Sequence, residues 1–434
     1  MNGISPYYLL IGISVIIILS YFFNIISKKT NIPSVLLLIL LGVIIQIING
    51  ATNYLNKDMM PLLEILGIVG LIMIVLEAAL DLKLEREKWP ILWRSFLVAL
   101  FGLLATSFAT AYILDLFLHA GFQKSLMYAI PISILSSAIV LPSVHGLNEF
   151  KKEFMIYEST FSDILGIMFF YMMIQEFSAV GESNLLMSLS INVGITVGVS
   201  LIASYALVLI FQNLKSNVKL FLLIAVLILL YSVAKLMHLS SLLIILVFGL
   251  ILNNPNVFFR GPLKKLVSQS ALRRILIDFR LVTIESAFIV RTLFFVIFGS
   301  TIILSQLVSV SVFLQSMAIL LLTFGLRWLF LRVIVGKDLF PQVLIAPRGL
   351  ITILLFFAIP DQFLIPDFKD GILLYVILAT SLLMTWSLIK NKQESEEDTD
   401  LFDPNPHFED EAIEQLVADE LGIDIPEEND KLLD

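Results

Sequence analysis

The stretch "YESTFSDILGIMFFYMMI", residues 157 to 174, is long enough to form most of a membrane-crossing helix, yet it carries two carboxylates, Glu158 and Asp163. Charged side chains are costly in hydrocarbon, so acids kept in such a segment are either paired with an opposite charge or used for function. The choice between these readings matters only if lipid surrounds the segment. Hydrophobic residues make up 58% of the 434 and charged residues 15%, and the mean hydropathy is +0.95. So much apolar surface cannot be hidden in the core of a water-soluble domain, and the chain reads as an all-α polytopic membrane protein.

Windows of about 17 to 25 apolar residues, enough helix to cross about 30 Å of hydrocarbon, recur along most of the chain. The pattern predicts about thirteen spans, near 7–27, 33–49, 61–81, 91–118, 124–145, 154–176, 188–213, 218–236, 239–253, 284–303, 309–334, 342–359 and 369–389. Lys and Arg near helix ends concentrate on the cytoplasmic side. With an outside N-terminus, these spans place the basic clusters at 28–29, 83–94, 151–152, 215–219, 260–280, 332–337 and 390–392 inside. Only Lys57, Lys124, Lys235 and Lys369 are left outside. One helix more or fewer before residue 254 would reverse the later clusters, so the asymmetry supports both the number and an orientation with the C-terminus in the cytoplasm. The opening "MNGISPYY" lacks a positive region, and the first apolar run reads as a retained helix of a cell (inner or plasma) membrane protein rather than a signal peptide.

Two segments stand apart. Residues 254–283 are basic and amphipathic, which suits a connector along the inner leaflet. Residues 390–434 form an acidic tail that accounts for the net charge of -8 and reads as solvated chain. The sequence contains no phosphate-binding glycine loop, no dinucleotide fingerprint and no His pair at metal-ligand spacing; His119, His145, His238 and His407 are scattered singly. There is no cysteine for thiol chemistry. No enzyme, cofactor or nucleic-acid partner is expected, and any work must draw on an ion gradient or on the gradient of the substrate itself.

The charges inside the spans then carry the argument. At about 1.5 Å per residue, Asp163 lies roughly 13 Å into a helix entering near residue 154, close to the bilayer midplane, and Glu158 lies about 6 Å in. Arg327, on the eleventh span, comes to about the level of Glu158. On a helix of about 3.6 residues per turn, Glu158 and Asp163 point roughly 140° apart. Asp163 shares its face with Ser159, and Glu158 shares the other flank with Ser162. This geometry assigns Glu158 to a structural pair with Arg327 and leaves Asp163 to bind a proton or cation.

Two spans look interrupted. The fifth, "AIPISILSSAIVLPSVHGL" at 129–147, holds Pro131 and Pro142, which remove backbone donors. Between them, Ser136 and Ser137 fall at the level of Asp163. In the twelfth, "IAPRGLITILLFF", Pro347, Arg348 and Gly349 come about one turn into the span. A pair of broken helices, one in each half of the chain, is how inverted-repeat transporters build a midplane ion site.

At these residues the chain resembles the NhaP/NHE-type monovalent cation:proton antiporters. Their sixth-helix signature E-S-x-x-N-D is matched by "ESTFSD", Glu158 to Asp163, except that Ser162 stands where Asn is usual. Arg327 in "FGLRWLFLRV" sits where the family has the partner of that glutamate. "APRGL" at 346–350 resembles the twelfth-helix element, "RTLFFVIFG" at 291–299 the tenth, and "LEAALD" at 76–81 the third.

The resemblance implies an antiporter fold with two broken crossing helices. The first dimerisation helices fall in 1–90, the first core repeat in 91–176, interface helices with the linker 254–283 in 188–308, the second core repeat in 309–389 and the tail in 390–434. A homodimer is also implied; Gly194 and Gly198, at G-x-x-x-G spacing in the seventh span, permit close helix contact at a dimer seam, within the chain or toward lipid alike. Many members place an acid in the fifth helix; this chain has "SSAIVLP" there, closer to the Kef-type branch.

The expected site is therefore Asp163 with hydroxyls and carbonyls of Ser136, Ser137, Ser159 and Ser162, binding Na+ (or K+) and H+ in turn, with 1:1 electroneutral exchange and a role in pH homeostasis. A gated cation channel and a proton-coupled carrier of a small solute are the alternatives.

Overall fold

The computed structural model describes residues 6–30, 33–52, 60–82, 84, 87–144, 146–178, 185–211, 219–236, 241–259, 269–301 and 309–396. Among these residues every regular element is helical, as a chain in lipid requires when each backbone N–H and C=O must be satisfied within its own segment. The helices are α1 Pro6–Thr30, α2 Ser34–Thr52, α3 Met60–Asp81, α4 Trp89–Leu118, α5 Phe122–Ser133, α6 Ser137–Ser143, α7 Glu149–Ser178, α8 Leu185–Phe211, α9 Lys219–Leu236, α10 Ser241–Asn253, α11 Pro255–Phe258, α12 Gln269–Thr301, α13 Val310–Ile334, α14 Leu350–Phe357 and α15 Gly371–Glu396. Among the described residues, six stretches, including Trp89–Leu118, Val310–Ile334 and Gly371–Asn391, are long and apolar enough to cross a membrane by length and composition. His145, His238, His407, Lys264, Lys265 and the tail beyond residue 396 lie outside the described residues.

Residues 269–283 are the first turns of α12, continuous with the predicted tenth span. Between Gln269 and Phe298 there is neither proline nor glycine to stop the helix, and its amphipathic start simply runs on into the apolar part.

Packing divides the helices into two neighbourhoods. In the first, α12 lies along α2 and α3 and also touches α1 and α9, while α10 packs on α3, α8 and α9. Glycines set the closest approach: a Cβ on Gly299 would meet the carbonyl oxygen of Ile39 and come within 3.0 Å of the Gly42 Cα, so α2 and α12 touch backbone to backbone. The end of α3 is pinned by Asn254, whose Nδ2 donates to the Leu82 carbonyl at 2.8 Å and whose Oδ1 accepts from the Leu84 N–H at 2.6 Å. In the second, α4 packs on α5, α7 and α13, and α7 carries α5, α6 and α14. α15 joins it through the Phe313–Tyr375 ring contact with α13 at 6.0 Å. The two neighbourhoods meet where α7 and α14 touch α3. Among the described residues, nothing from another helix lies within 4 Å of a Cβ built on Gly194 or Gly198.

Candidate functional site

The predicted fifth span is two helices, α5 and α6, separated by the extended residues 134–136. The break falls between the two prolines rather than at Pro142, which lies inside α6. The three amides at the break account for its position, because buried N–H groups must find partners. Leu135 N–H donates to Ser162 Oγ at 2.9 Å, Ser136 N–H to the Pro347 carbonyl at 2.9 Å and Ser137 N–H to Asp163 Oδ2 at 3.1 Å. The helix opens because α7 and the second interrupted span supply better-placed acceptors.

That second interruption runs as extended chain over residues 345–349 before α14 begins at Leu350. The predicted helix from 342 therefore starts eight residues late. Turns occupy 340–344, and Pro347 excludes helical geometry from the residue before it. The two extended stretches cross at Ser136 and Gly349. A Cβ on Gly349 would lie 2.5 Å from Ser136 Oγ and 2.9 Å from its Cβ, so only a glycine admits this crossing. Arg348, fully buried, donates from Nε to the Ile132 carbonyl at 2.6 Å, and its own N–H donates to Thr380 Oγ1 of α15 at 3.1 Å. The freed carbonyl end of α5 thus meets a guanidinium and the freed amide end of α6 meets a carboxylate, each of the sign that helix ends favour.

Glu158 and Asp163 occupy different surroundings on α7, as their angular separation predicted. Arg327 grips Glu158 with both terminal nitrogens, Nη1 to Oε1 at 2.5 Å and Nη2 to Oε2 at 3.0 Å. It also donates from Nε and Nη2 to the Gln342 carbonyl at 3.0 and 2.9 Å. Both side chains are buried. Asp163 is equally buried, and its Oδ2 accepts from Ser137. Among the described residues, its Oδ1, Ser136 Oγ and Thr352 Oγ1 are buried with no hydrogen-bond partner.

The predicted serines divide by role. Ser136 and Ser137 stand at the break beside Asp163. Ser159, one turn back on α7, donates to the Ile156 carbonyl at 3.1 Å and keeps its oxygen lone pairs free to accept. Ser162 lies on the other flank, where it lines a small pocket with Glu158, Arg327 and Arg348; its oxygen is occupied by the Leu135 N–H. The Ser162 hydroxyl thereby satisfies one amide of the unwound stretch.

A buried carboxylate thus lies beside two crossed half-helices, with a separate bidentate ion pair farther along α7. The model of the sodium/hydrogen exchanger transmembrane region matches residues 14–389. The chain belongs to the sodium/hydrogen exchanger family. Two solved structures of the sodium proton antiporter MjNhaP1 from Methanocaldococcus jannaschii are similar to it. The structure at pH 8 has 20% identity and a TM-score of 0.65, covering 90% of this chain and 100% of that one. The electron-microscopy structure has 19% identity and a TM-score of 0.64, covering 93% and 100%. At these identities the likeness shows a shared fold. A search of curated proteins finds no match.

The exchanger contains a second charged pair to which the sequence reading gave no role. Arg291 of α12 donates from Nη2 to Glu77 Oε2 of α3 at 2.8 Å. Both line a cavity of about 360 Å3 that reaches Ser137 and Ala138 of α6 and Ile156 and Thr160 of α7. The available signal was that Glu77 and Arg291 are opposite charges within predicted spans, a combination that calls for pairing.

Proposed function

We propose that this integral membrane exchanger moves one Na+, with K+ as the other candidate, against one H+ by alternating access, with Asp163 as the shared site. The supporting observation is the state of Asp163. It is a buried carboxylate at the crossing of two broken helices, with one oxygen fixed by the Ser137 N–H and the other, among the described residues, without a hydrogen-bond partner. A hard monovalent cation is matched by such oxygen ligands, and Ser136, Ser137 and Ser159 stand close enough in sequence and fold to contribute theirs. Among the described residues, Glu158 is held by Arg327, Arg291 contacts Glu77, and Asp163 forms no salt bridge. Proton and metal ion then compete for a single negative charge, and one replaces the other in each cycle.

In this reading Asp163 must be neutralised before the neighbourhood of α4–α7 and α13–α15 moves against that of α1–α3 and α8–α12. A charge left bare in mid-membrane would oppose the movement. The neighbourhood of α1–α3 and α8–α12 is the scaffold through which two copies pair. The asymmetry of Lys and Arg supports an outside N-terminus, a cytoplasmic C-terminus and placement in the cell membrane, where exchange would serve pH homeostasis.

The test uses inside-out vesicles carrying a pH-sensitive dye, with Na+, K+ and Li+ each added across a range of pH and with the membrane potential either clamped at zero or free. Cation-dependent proton movement that is indifferent to clamping is the expected outcome. Proton movement that follows the membrane potential would contradict the 1:1 stoichiometry, and cation flux without counter-movement of protons would favour a pore.

A further inference from the structure

The pocket that Ser162 lines with Glu158, Arg327 and Arg348 is closed by Gly102 of α4 and Thr323 of α13, among others. Its cavity of about 30 Å3 exceeds the roughly 10–15 Å3 that one water needs and has room for one larger ion. The ionisable side chains on its walls are one carboxylate and two guanidinium groups, a formal charge of +1. The carboxylate is fully engaged, because both Glu158 oxygens accept from Arg327. Arg348 has no such counterpart. Its Nε donates to the Ile132 carbonyl at 2.6 Å and its Nη1 to the Ala346 carbonyl at 3.3 Å; among the described residues its Nη2 has no acceptor and its guanidinium forms no salt bridge. A buried charge without a counter-ion is costly in a membrane protein.

Neutral groups on the walls add donors. Thr323 Oγ1 is buried and, among the described residues, has no hydrogen-bond partner. Ser162 Oγ accepts from the Leu135 N–H, which leaves its own hydrogen to donate. Asp163 does not line this pocket, and Glu77 and Arg291 line a different cavity.

We propose that this pocket binds a small monovalent anion, a halide such as chloride, as the counter-ion of Arg348. The anion accepts from Arg348 Nη2 and from the hydroxyls of Thr323 and Ser162, and it stays in place while cations and protons are exchanged. Water in the cavity would satisfy the donors but leave the charge uncompensated. The bound anion stabilises the helix crossing, because Arg348 ties the end of α5, through the Ile132 carbonyl, to α15, through Thr380. This site is separate from Asp163 and does not depend on the exchange reading.

The test is thermal unfolding of the purified full-length protein in choline chloride, choline bromide or choline gluconate at equal ionic strength, so that no candidate transported cation varies. At a hundredfold excess over its Kd, chloride should raise the Tm by about 3 °C, given an unfolding entropy of about 2.1 cal/mol/K per residue over 434 residues. Bromide should act likewise, and gluconate, too large for the cavity, should not. Thr323→Val keeps the shape of the side chain and removes the hydroxyl; it should weaken chloride about tenfold, seen as a shift of the titration to higher concentration, with calorimetric Na+ binding unchanged. Arg348→Gln should abolish the difference between chloride and gluconate. Equal melting in all three salts would show that the pocket holds water only and would overturn the inference. A chloride response that Thr323→Val leaves unmoved, or that survives in Arg348→Gln, places the anion elsewhere and overturns it too. Should Arg348→Gln fail to fold, the wild-type salt series and Thr323→Val still decide the matter. Crystals grown in bromide give an independent reading: an anomalous peak between Arg348, Thr323 and Ser162 is expected, and peaks only at other positions would contradict the assignment.

Discussion

Replacing Glu158 by Gln should destabilise the exchanger without weakening its grip on the cation. Arg327 directs two nitrogens at the Glu158 carboxylate, at 2.5 and 3.0 Å, and two donors at the Gln342 carbonyl, at 3.0 and 2.9 Å. In Glu158→Gln the second set survives and the first loses its charge. Removing one partner of a buried pair costs about 3–5 kcal/mol. The remaining bonds to Gln342 place the expected loss near the lower limit, about 3 kcal/mol, or about 150-fold in the folding equilibrium. With an unfolding entropy of about 2.1 cal/mol/K per residue over 434 residues, that lowers the Tm by about 3 °C.

The assay is thermal unfolding of purified Glu158→Gln, Arg327→Gln and the double variant, each with calorimetric Na+ binding. The double variant should lose less than the two singles together, because neither charge is then left alone. The apparent Na+ affinity should stay within about twofold, since Glu158 and Asp163 face roughly 140° apart around α7. A Glu158→Gln protein that melts with wild type but no longer binds cation would show that the roles of the two acids are reversed.

The packing supplies further expectations. Gly349→Ala places a Cβ 2.5 Å from Ser136 Oγ and pushes the crossed strands apart, so turnover in proteoliposomes should fall about 100-fold at normal yield of folded protein; an unchanged rate would mean that the crossing is not part of the site. Ser162→Ala removes the acceptor of the Leu135 N–H, a loss of about 1–3 kcal/mol in stability, with Na+ affinity kept. If calorimetry shows instead that Na+ binding disappears while the melt is unchanged, Ser162 is a ligand. Gly299→Ala drives a methyl against the Ile39 carbonyl and should cost about 1–3 kcal/mol, seen as a lower Tm with normal transport per folded molecule.

Much of this site was legible before any coordinates. The depth of Glu158 and Arg327 along their helices pointed to their pairing, and the angular separation on α7 distinguished Glu158 from Asp163, because both follow from the fixed rise and turn of a helix. Proline and serine content marked the interrupted spans. Sequence could not place the opening at residues 134–136. That position depends on acceptors from Ser162, Pro347 and Asp163, and tertiary partners leave no local pattern. The Glu77–Arg291 pair escaped for a similar reason. Two opposite charges on helices more than two hundred residues apart reveal a need for partners but not which partner each finds.

The central claim is that proton and cation share the Asp163 carboxylate, and radioactive sodium uptake driven by a pH gradient into proteoliposomes bearing Asp163→Asn tests it most directly. The account predicts uptake no greater than in protein-free liposomes, from a protein that melts as wild type does. Uptake at the wild-type rate would contradict it.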